Sequence, residues 1–151
     1  MITIRKAIAD DKLTIQKLNN NADVRQFCLD CLPEHTMVVE LEDTLVGYGS
    51  LDIADELAII RCVYIAHNYR NQGLGDGLVR ALINYADRRA VKRIYIFSDR
   101  EIDYFKRFGF KYISSDQCDI KIVGAYNTNS DDYSYIMELD IDEYFNSRHC
   151  H

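Results

Sequence analysis

The chain has no apolar segment long enough to cross a bilayer, no internal repeat and no low-complexity tract among its 151 residues. The first absence predicts a protein without a membrane partner, which we expect in the cytoplasm. The lack of repeats and of low-complexity tracts predicts one domain that covers residues 1–151. The single proline and the lack of an interdomain linker agree with this. We expect only the last few residues to form a mobile tail.

A regular disulfide framework is also missing. The five cysteines are odd in number and irregularly spaced, unlike the even sets of stapled domains. Cys28 and Cys31 are the one close pair, and His149, Cys150 and His151 have the chemistry to complete a zinc site with them. The pair lies in a helix-like run, where cysteine packs as a small hydrophobe. We therefore predict no bound metal.

Basic residues are too few for a nucleic acid partner. The chain carries 18 Lys and Arg against 24 Asp and Glu, a formal net charge of -6. Binding a polyanion requires a basic face, so we predict no nucleic acid partner. The rest of the composition, 48% hydrophobic and 28% charged, is that of an ordinary globular domain with a buried core.

The most informative segment present is Arg-x-x-Gly-x-Gly at residues 70–75. An apolar strand, Leu57–Ile65, precedes it, and an amphipathic helix follows directly. Glycines at a helix start let a ligand approach the backbone, and the N–H groups of the first turn point at that ligand. The positive end of the helix dipole favours an anion there. The spacing therefore predicts a phosphate cradle.

Two common phosphate motifs are excluded by this spacing. A dinucleotide fingerprint needs a third glycine where Leu78 stands, and a Walker A loop needs Lys where Asp76 follows Gly75. The remaining pattern resembles motif A of the GNAT superfamily, the acyl-CoA-dependent N-acyltransferases. Arg70 and Gly73, with the following glycine, occupy the places of that signature. A tight turn that uses its glycines only for packing is the alternative.

The order of predicted elements agrees with this resemblance. Hydrophobic patterning predicts strands near residues 2–7, 37–41, 44–51, 57–65, 93–97, 110–113 and 133–139, and helices that begin near residues 11, 23, 75 and 102. Residues 104–110, Tyr-Phe-Lys-Arg-Phe-Gly-Phe, resemble GNAT motif B. The implied fold is α/β (α+β), with a mixed, mostly antiparallel sheet of about seven strands. About four helices flank that sheet, and two parallel central strands, at Val63 and Tyr95, splay apart.

The resemblance also implies a co-substrate, acetyl-CoA. Its pyrophosphate would lie on the N–H groups of residues 70–76, and its pantetheine arm would pair with the edge of residues 62–65. Backbone N–H groups near residues 63–65 would then polarise the thioester carbonyl. The implied cofactor-binding residues are Val63, Tyr64, Ile65, Arg70, Asn71, Gln72, Gly73, Leu74, Gly75 and Asp76.

Members of the superfamily usually transfer the acyl group directly, so the resemblance implies no cysteine nucleophile. Their usual proton donor is a tyrosine at the position of Phe105, whereas this chain has Tyr104 one residue earlier. Tyr104 is the catalytic candidate, with a role as a packing aromatic as its alternative. In that case water, Tyr64 or Ser98 would supply the proton.

Many relatives carry a glutamate where Ile59 and Arg61 stand, so the carboxylates just upstream are the candidate bases: Glu56, with Asp55 and Asp52 as further candidates. The alternative for each is an exposed carboxylate at the strand end.

Residues 57–63, 94–97 and 104–109 resemble one subgroup, N-acetylglutamate-synthase-like and arsenic-resistance acetyltransferases. This implies a small, amino-acid-like amine as acceptor, with Arg61 holding its carboxylate. A structural salt bridge from Arg61 is the alternative. Two other functions stay open: acetylation of a protein lysine or N-terminus, and acyl-CoA binding without catalysis. The resemblance leaves a homodimer open, and residues 117–134 are either a loop over the acceptor pocket or a surface insertion.

Overall fold

The computed structural model describes residues 1–20, 34–119 and 133–148. These residues form three α-helices and seven strands, together with short 3-10 turns. The helices are α1 (Lys12–Asn20), α2 (Leu74–Arg88) and α3 (Ile141–Arg148). The strands are β1 (Ile2–Lys6), β2 (Thr36–Leu41), β3 (Thr44–Ala54), β4 (Leu57–Ile65), β5 (Arg93–Ser98), β6 (Lys111–Ile113) and β7 (Tyr135–Asp140).

The seven strands form one sheet in the order β1-β2-β3-β4-β5-β7-β6. The β4–β5 pair is parallel, and the pairs β1–β2, β2–β3, β5–β7 and β6–β7 are antiparallel. The parallel ladder is short and runs from Leu57 opposite Arg93 to Ile59 opposite Tyr95. The predicted mixed, mostly antiparallel sheet with a parallel central pair is therefore confirmed.

The first of two compact units comprises Met1–Asp52 and Ile60–Tyr85. Its core joins the helix α1 to strands β2, β3 and β4 through the buried residues Ala7, Ile15, Val38, Tyr48, Cys62 and Tyr64. The glycines of β3 permit close packing on β4, since a Cβ at Gly47 would lie 2.7 Å from the carbonyl oxygen of Tyr64. The α2 helix approaches β1 in the same way, because a Cβ at Gly77 would lie 3.0 Å from Cδ1 of Ile4.

The second unit comprises Ile53–Ile59 and Ala86–His151. One core cluster of this unit lies on the strands β4, β5 and β7. Its buried members are Leu57, Ile59, Tyr95 and Ile136, and Phe97, Ile113 and Cys118 pack against them. The 3-10 helix Asp103–Phe108 ends at Gly109, whose φ of 101° is the left-handed conformation typical of a helix C-terminus. That segment matches the short helix predicted at residues 102–108.

The C-terminal helix α3 is missing from the sequence-based prediction, which assigned the end of the chain only a mobile tail. A helix start signal is present there, because Oδ1 of Asp140 accepts a hydrogen bond of 3.1 Å from the backbone N–H of Glu143. Ile141 and Tyr144 are buried on this helix, so tertiary packing stabilises it.

Several predictions lie outside the described residues or stay untested. The helix predicted at 23–32 falls outside them, as does most of the 117–134 segment and both groups of the considered zinc site. The single-domain organisation stays a prediction. Within the described residues, no helix has the length and apolar character needed to cross a membrane.

Candidate functional site

The glycine loop, residues 70–76, is anchored to the end of β4 by side-chain and backbone contacts. The backbone N–H of Ala66 donates to the carbonyl of Val46 at 2.8 Å, which holds the strand end against β3. Nε of Arg70 donates to the carbonyl oxygen of Ile65 at 2.7 Å. The Arg70 guanidinium carbon also lies 5.4 Å from the ring centroid of Tyr64. Arg70 therefore fixes the path of the loop.

The backbone of the glycine loop turns through the left-handed region twice. Asn71 has a φ of 65° and Gly73 a φ of 83°. A Cβ at Gly73 would meet nothing within 4 Å, so open space lies on that side of the backbone. The N–H of Gly77 donates to the carbonyl of Gly73 at 3.1 Å, which makes Leu74 the first residue of α2. The preceding N–H groups have no acceptor within the helix.

The predicted cofactor-binding residues divide into an exposed part and a buried part. Arg70, Asn71, Gln72 and Gly73 are exposed, whereas Leu74 is buried and anchors the helix start in the core. On β4, Val63 is partly exposed, and Tyr64 and Ile65 are buried. Gly75 and Asp76 lie partly buried in the first turn of α2. The structure thus brings residues 70–76 together as one loop, and their contact with a cofactor stays a prediction.

Cys62 lies in the core of the first unit and has the properties of a packing residue. Burial raises the pKa of its thiol to about 12, while a hydrogen bond with Tyr48 acts in the opposite direction. Burial also raises the pKa of the Tyr48 hydroxyl. A nucleophilic cysteine needs a lowered pKa, so the environment of Cys62 favours the neutral thiol.

Arg61 forms an ion pair with a carboxylate of the neighbouring strand. Its Nε donates to Oδ2 of Asp52 on β3, and the side chains of Arg61 and Asp52 are 30% and 22% exposed. This ion pair is the structural salt bridge that the sequence left open as the alternative to a contact with a substrate carboxylate. The guanidinium is partly accessible, and its contact with a substrate carboxylate stays a prediction.

Glu56 lies in the turn between β3 and β4, and its side chain is exposed. Its backbone carbonyl accepts hydrogen bonds from Lys92 and Arg93 at 2.6 and 3.3 Å. Its role as a base stays a prediction.

Tyr104 belongs to an aromatic cluster in the second unit. Its ring centroid lies 5.1 Å from that of Phe105 and 5.6 Å from that of Phe108. The guanidinium carbon of Arg107 lies 4.4 Å from the Tyr104 centroid, a distance suited to a cation–π contact. Tyr104 is partly buried. The packing role is thus present in the structure, and the role as proton donor stays a prediction.

One polar pair of the sheet was missed by sequence reasoning. Tyr95 on β5 is fully buried, and its hydroxyl donates a hydrogen bond of 2.8 Å to Oε2 of Glu138 on β7. Burial, together with this hydrogen bond, raises the pKa of Tyr95. The available signal was a single glutamate between apolar residues in the predicted strand at 133–139.

A strand that ends in a left-handed glycine loop and enters a helix directly is typical of proteins that bind phosphate-bearing ligands. The model of the acetyltransferase (GNAT) family matches residues 6–110. This match covers more than half of the chain, so the chain belongs to the GNAT acetyltransferase family. The predicted superfamily is therefore confirmed.

Among relatives, an amino-acid acetyltransferase of Aeromonas salmonicida is 26% identical over 92 residues. The match covers 60% of this chain and 21% of that protein. The chain thus spans about a fifth of the length of the curated relatives it matches. A relative of this kind agrees with the predicted subgroup.

Solved structures share the fold. N-acetylglutamate synthase from Neisseria gonorrhoeae, complexed with coenzyme A and N-acetyl-glutamate, has a TM-score of 0.77 and 19% identity, over 93% of this chain and 35% of that chain. The ribosomal-protein-S18-alanine N-acetyltransferase from Escherichia coli has a TM-score of 0.71 and 15% identity, over 93% and 94% of the two chains. These likenesses confirm the predicted GNAT fold.

Proposed function

We propose that the chain is an N-acetyltransferase that moves an acetyl group from acetyl-CoA to the primary amine of a small, amino-acid-like acceptor. The observation that carries the proposal is the glycine loop at residues 70–76, in a chain of the GNAT family. Its two left-handed residues, Asn71 and Gly73, turn the backbone directly ahead of the first N–H groups of α2. Such groups bind phosphate oxygens well.

The loop fits the pyrophosphate of acetyl-CoA on two counts. The side of Gly73 where a Cβ would stand is open, so a ligand can approach the backbone there. Arg70 is exposed and adds a positive charge at the edge of the loop while it holds the carbonyl of Ile65. The N. gonorrhoeae structure that shares the fold was solved with coenzyme A, which supports the same co-substrate here.

An amino-acid-like acceptor is supported by the relatives and by Arg61. The matching relatives are amino-acid acetyltransferases. Arg61 is a partly exposed guanidinium in an otherwise apolar strand, and a guanidinium fork suits a carboxylate. Asp52 holds Nε of Arg61 and thereby limits the orientations of the guanidinium.

The reaction proceeds by direct transfer in a ternary complex. The acceptor amine must be neutral to attack the thioester, and the departing thiolate must gain a proton. Backbone N–H groups of residues 63–65 polarise the thioester carbonyl, and Tyr104 is the candidate proton donor. Cys62 takes no part, because its raised pKa keeps the thiol neutral.

Calorimetric titration with acetyl-CoA tests the cradle. We expect Gly73→Asp to weaken acetyl-CoA binding at least about 100-fold, because like-charge juxtaposition costs several kcal/mol. The matched control is Gly73→Asn, which has the same size and tolerates the same positive φ without the charge. The control separates charge repulsion from backbone strain and is expected to bind more tightly than the aspartate variant.

Three outcomes would contradict the proposal. A folded wild type that does not bind acetyl-CoA would leave the glycines with a packing role only. Equal affinities of wild type and Gly73→Asp for acetyl-CoA would show that its phosphate groups do not bind at this loop. Tight binding without turnover on amino acids, peptides or proteins would favour an acyl-CoA-binding module without catalysis.

A protein N-terminus is the second candidate acceptor. The observation in its favour is the S18-alanine N-acetyltransferase of E. coli, whose likeness extends over 94% of that chain rather than over one part of a longer protein. Competition between free L-amino acids and peptides with a free N-terminal alanine distinguishes the two candidates. Acetylation of the peptides alone would replace the first candidate by the second.

A further inference from the structure

A short turn connects the end of β4 to the glycine loop, and its last backbone hydrogen bond is long. Residues His67–Tyr69 form one 3-10 turn. The N–H of Tyr69 donates to the carbonyl of Ala66 at 2.9 Å, whereas the N–H of Arg70 reaches the carbonyl of His67 at 3.3 Å. Ordinary N–H···O bonds measure about 2.7–3.2 Å. The backbone of this turn alone therefore holds the entrance of the loop weakly.

The side chain of Arg70 makes a shorter contact across the same turn. Its Nε donates to the carbonyl oxygen of Ile65 at 2.7 Å, and its guanidinium carbon lies 5.4 Å from the ring centroid of Tyr64. That separation suits a cation–π contact. Tyr64 and Ile65 are both buried, so the strand end is a fixed point. Arg70 therefore links the entrance of the loop to a rigid part of the first unit.

The phosphate-binding part of the loop begins directly after this link. Asn71 and Gly73 have positive φ values of 65° and 83°, and α2 starts at Leu74. A non-glycine residue such as Asn71 keeps a left-handed conformation only where the surrounding structure holds it. The directions of the free N–H groups at the helix start depend on this path of the backbone. A contact that fixes Arg70 therefore also fixes the N–H groups that follow.

The positive charge of Arg70 has a weaker hold on a ligand than its hydrogen bond has on the backbone. Arg70 is exposed, so water and salt screen its charge, over a Debye length of about 8 Å at physiological ionic strength. The bond from Nε to the carbonyl of Ile65 is direct and has a charged donor, which makes it stronger than a bond between neutral groups. The hydrogen bond is therefore the larger of the two effects.

From these contacts we infer that Arg70 is a positioning residue of the proposed acetyl-CoA site. It strengthens acetyl-CoA binding through the backbone that its Nε–H group holds, and its positive charge contributes little. The inference rests on the proposed function. The same link joins the phosphate-binding loop to residues 63–65, the segment proposed to polarise the thioester carbonyl. Both ends of the co-substrate site are thereby held in one arrangement.

Three variants of Arg70 separate the donor from the charge. Arg70→Gln removes the charge and keeps a planar N–H donor, because the side-chain nitrogen of glutamine is as many bonds from Cα as Nε of arginine. Arg70→Lys keeps the charge and moves the nitrogen one bond further out. Arg70→Met removes both groups and keeps an unbranched stem. The matched control is Arg88→Gln, which removes the charge of another exposed arginine, at the end of α2.

The measurement is calorimetric titration with acetyl-CoA. We expect Arg70→Gln to bind within about fivefold of wild type, the contribution of an exposed charge. Arg70→Met and Arg70→Lys should bind at least about 10-fold more weakly than wild type, because each loses a hydrogen bond with a charged donor. Arg88→Gln should match the wild type.

Salt gives an independent reading of the same variants. Titrations at about 50 and about 500 mM KCl change the screening of exposed charges several-fold. The ratio of the wild-type affinity to that of Arg70→Gln should stay constant, because the donor is present in both proteins. A ratio that falls towards one at high salt would assign the effect to the charge and would overturn the inference.

The order of affinities decides the inference. It is overturned if Arg70→Gln binds no more tightly than Arg70→Met, or if Arg70→Lys matches the wild type while Arg70→Gln does not. Melting temperatures of all variants are measured as well. Affinity losses that simply follow losses of melting temperature would also overturn it, since a role in folding has that effect. If Arg70→Met does not fold, the comparison of Arg70→Gln with Arg70→Lys is sufficient.

Failure of the proposed function has a different signature. A folded wild type that does not bind acetyl-CoA overturns the proposed site, and the inference fails with it. A wild type that binds acetyl-CoA, with tight binding by Arg70→Lys and weak binding by Arg70→Gln, overturns the inference alone and leaves the proposed site in place.

Discussion

The glycine loop at residues 70–76 and the row of Ile59, Tyr95 and Glu138 are built in opposite ways. All features of the loop come from neighbouring residues: two left-handed positions, a helix start, and an arginine that returns to the strand end. The row joins residues from three strands through their register, and Ile59 and Glu138 are 79 positions apart in the sequence. A site built from neighbouring residues can be predicted from their spacing in the sequence. A row of residues from different strands cannot, because it depends on how those strands pair.

The two regions also differ in the groups that carry their chemistry. The loop offers backbone N–H groups, whose direction depends on φ and on the helix start. The row offers a carboxylate and a hydroxyl, whose relation depends on which strands pair. A side-chain substitution therefore tests the row directly, whereas the loop is tested through its glycines and through Arg70.

The largest effect is expected at Gly47 of β3, a glycine distant in sequence from the glycine loop. Gly47→Ala should lower the free energy of unfolding by about 2–3 kcal/mol, because overpacking against rigid groups costs this much. Its Cβ would lie 2.6 Å from Cδ1 of Ile65 and 2.7 Å from the carbonyl oxygen of Tyr64. The second contact is with backbone, which cannot rotate away. Urea unfolding measures the change.

Gly77→Ala is the matched control for this substitution. Its Cβ would meet only Cδ1 of Ile4, at 3.0 Å, and that flexible side chain can move. Alanine also favours the helix by about 1 kcal/mol over glycine. The free energy of unfolding should therefore stay within about 1 kcal/mol of wild type. Equal losses of unfolding free energy in the two variants would refute the packing argument. The glycine loop would then not depend on how closely β3 packs against β4.

An intermediate effect is expected at Arg61. Arg61→Met keeps the aliphatic stem and should raise KM for an amino acid about 10- to 100-fold, the contribution of hydrogen bonds to a charged group. KM for the corresponding amino-acid amide should change little, because the amide lacks the carboxylate. Steady-state kinetics with each pair of acceptors measure the difference.

The control for Arg61 is its partner in the ion pair. Asp52→Asn removes the charge that Arg61 faces while it leaves the guanidinium in place, so binding of a carboxylate should be retained. An Arg61→Met variant that keeps the wild-type preference for the acid over the amide would assign Arg61 a purely structural role.

The smallest effect is expected at Cys62. Cys62→Ala should leave kcat within about twofold of wild type, since loss of a covalent nucleophile would instead abolish turnover. The variant should lose modest stability, because the Cys62 side chain is buried and contacts Tyr48. Intact-mass spectrometry during turnover is expected to find no acetylated enzyme. An acetyl adduct on wild type that is absent from the variant would refute direct transfer.

Much of the fold was predictable because its signals are local. The strand Leu57–Ile65 has the predicted bounds, and the helix after the glycines begins at Leu74. The 11-residue strand β3 is longer than predicted, because its second half is paired in the sheet although its sequence includes polar residues. The helix α3 escaped prediction since its amphipathic pattern covers only eight residues, which is too short to be distinctive.

The candidate site was predictable in part. Residues 70–76 stood out because glycine spacing and a helix start have direct conformational meaning. The partner of Arg61 was one of several nearby carboxylates, and only the pairing of β3 and β4 selected Asp52.

The sequence by itself determined the glycine loop, the central strand and the family, because φ preferences, helix starts and hydrophobic periods act over a few residues. Only the tertiary structure decided that Tyr95 donates to Glu138, that Arg61 faces Asp52, and that α2 packs on Ile4. Each of these contacts depends on strand register or on helix packing. Those are properties of distant segments, and no local pattern encodes them.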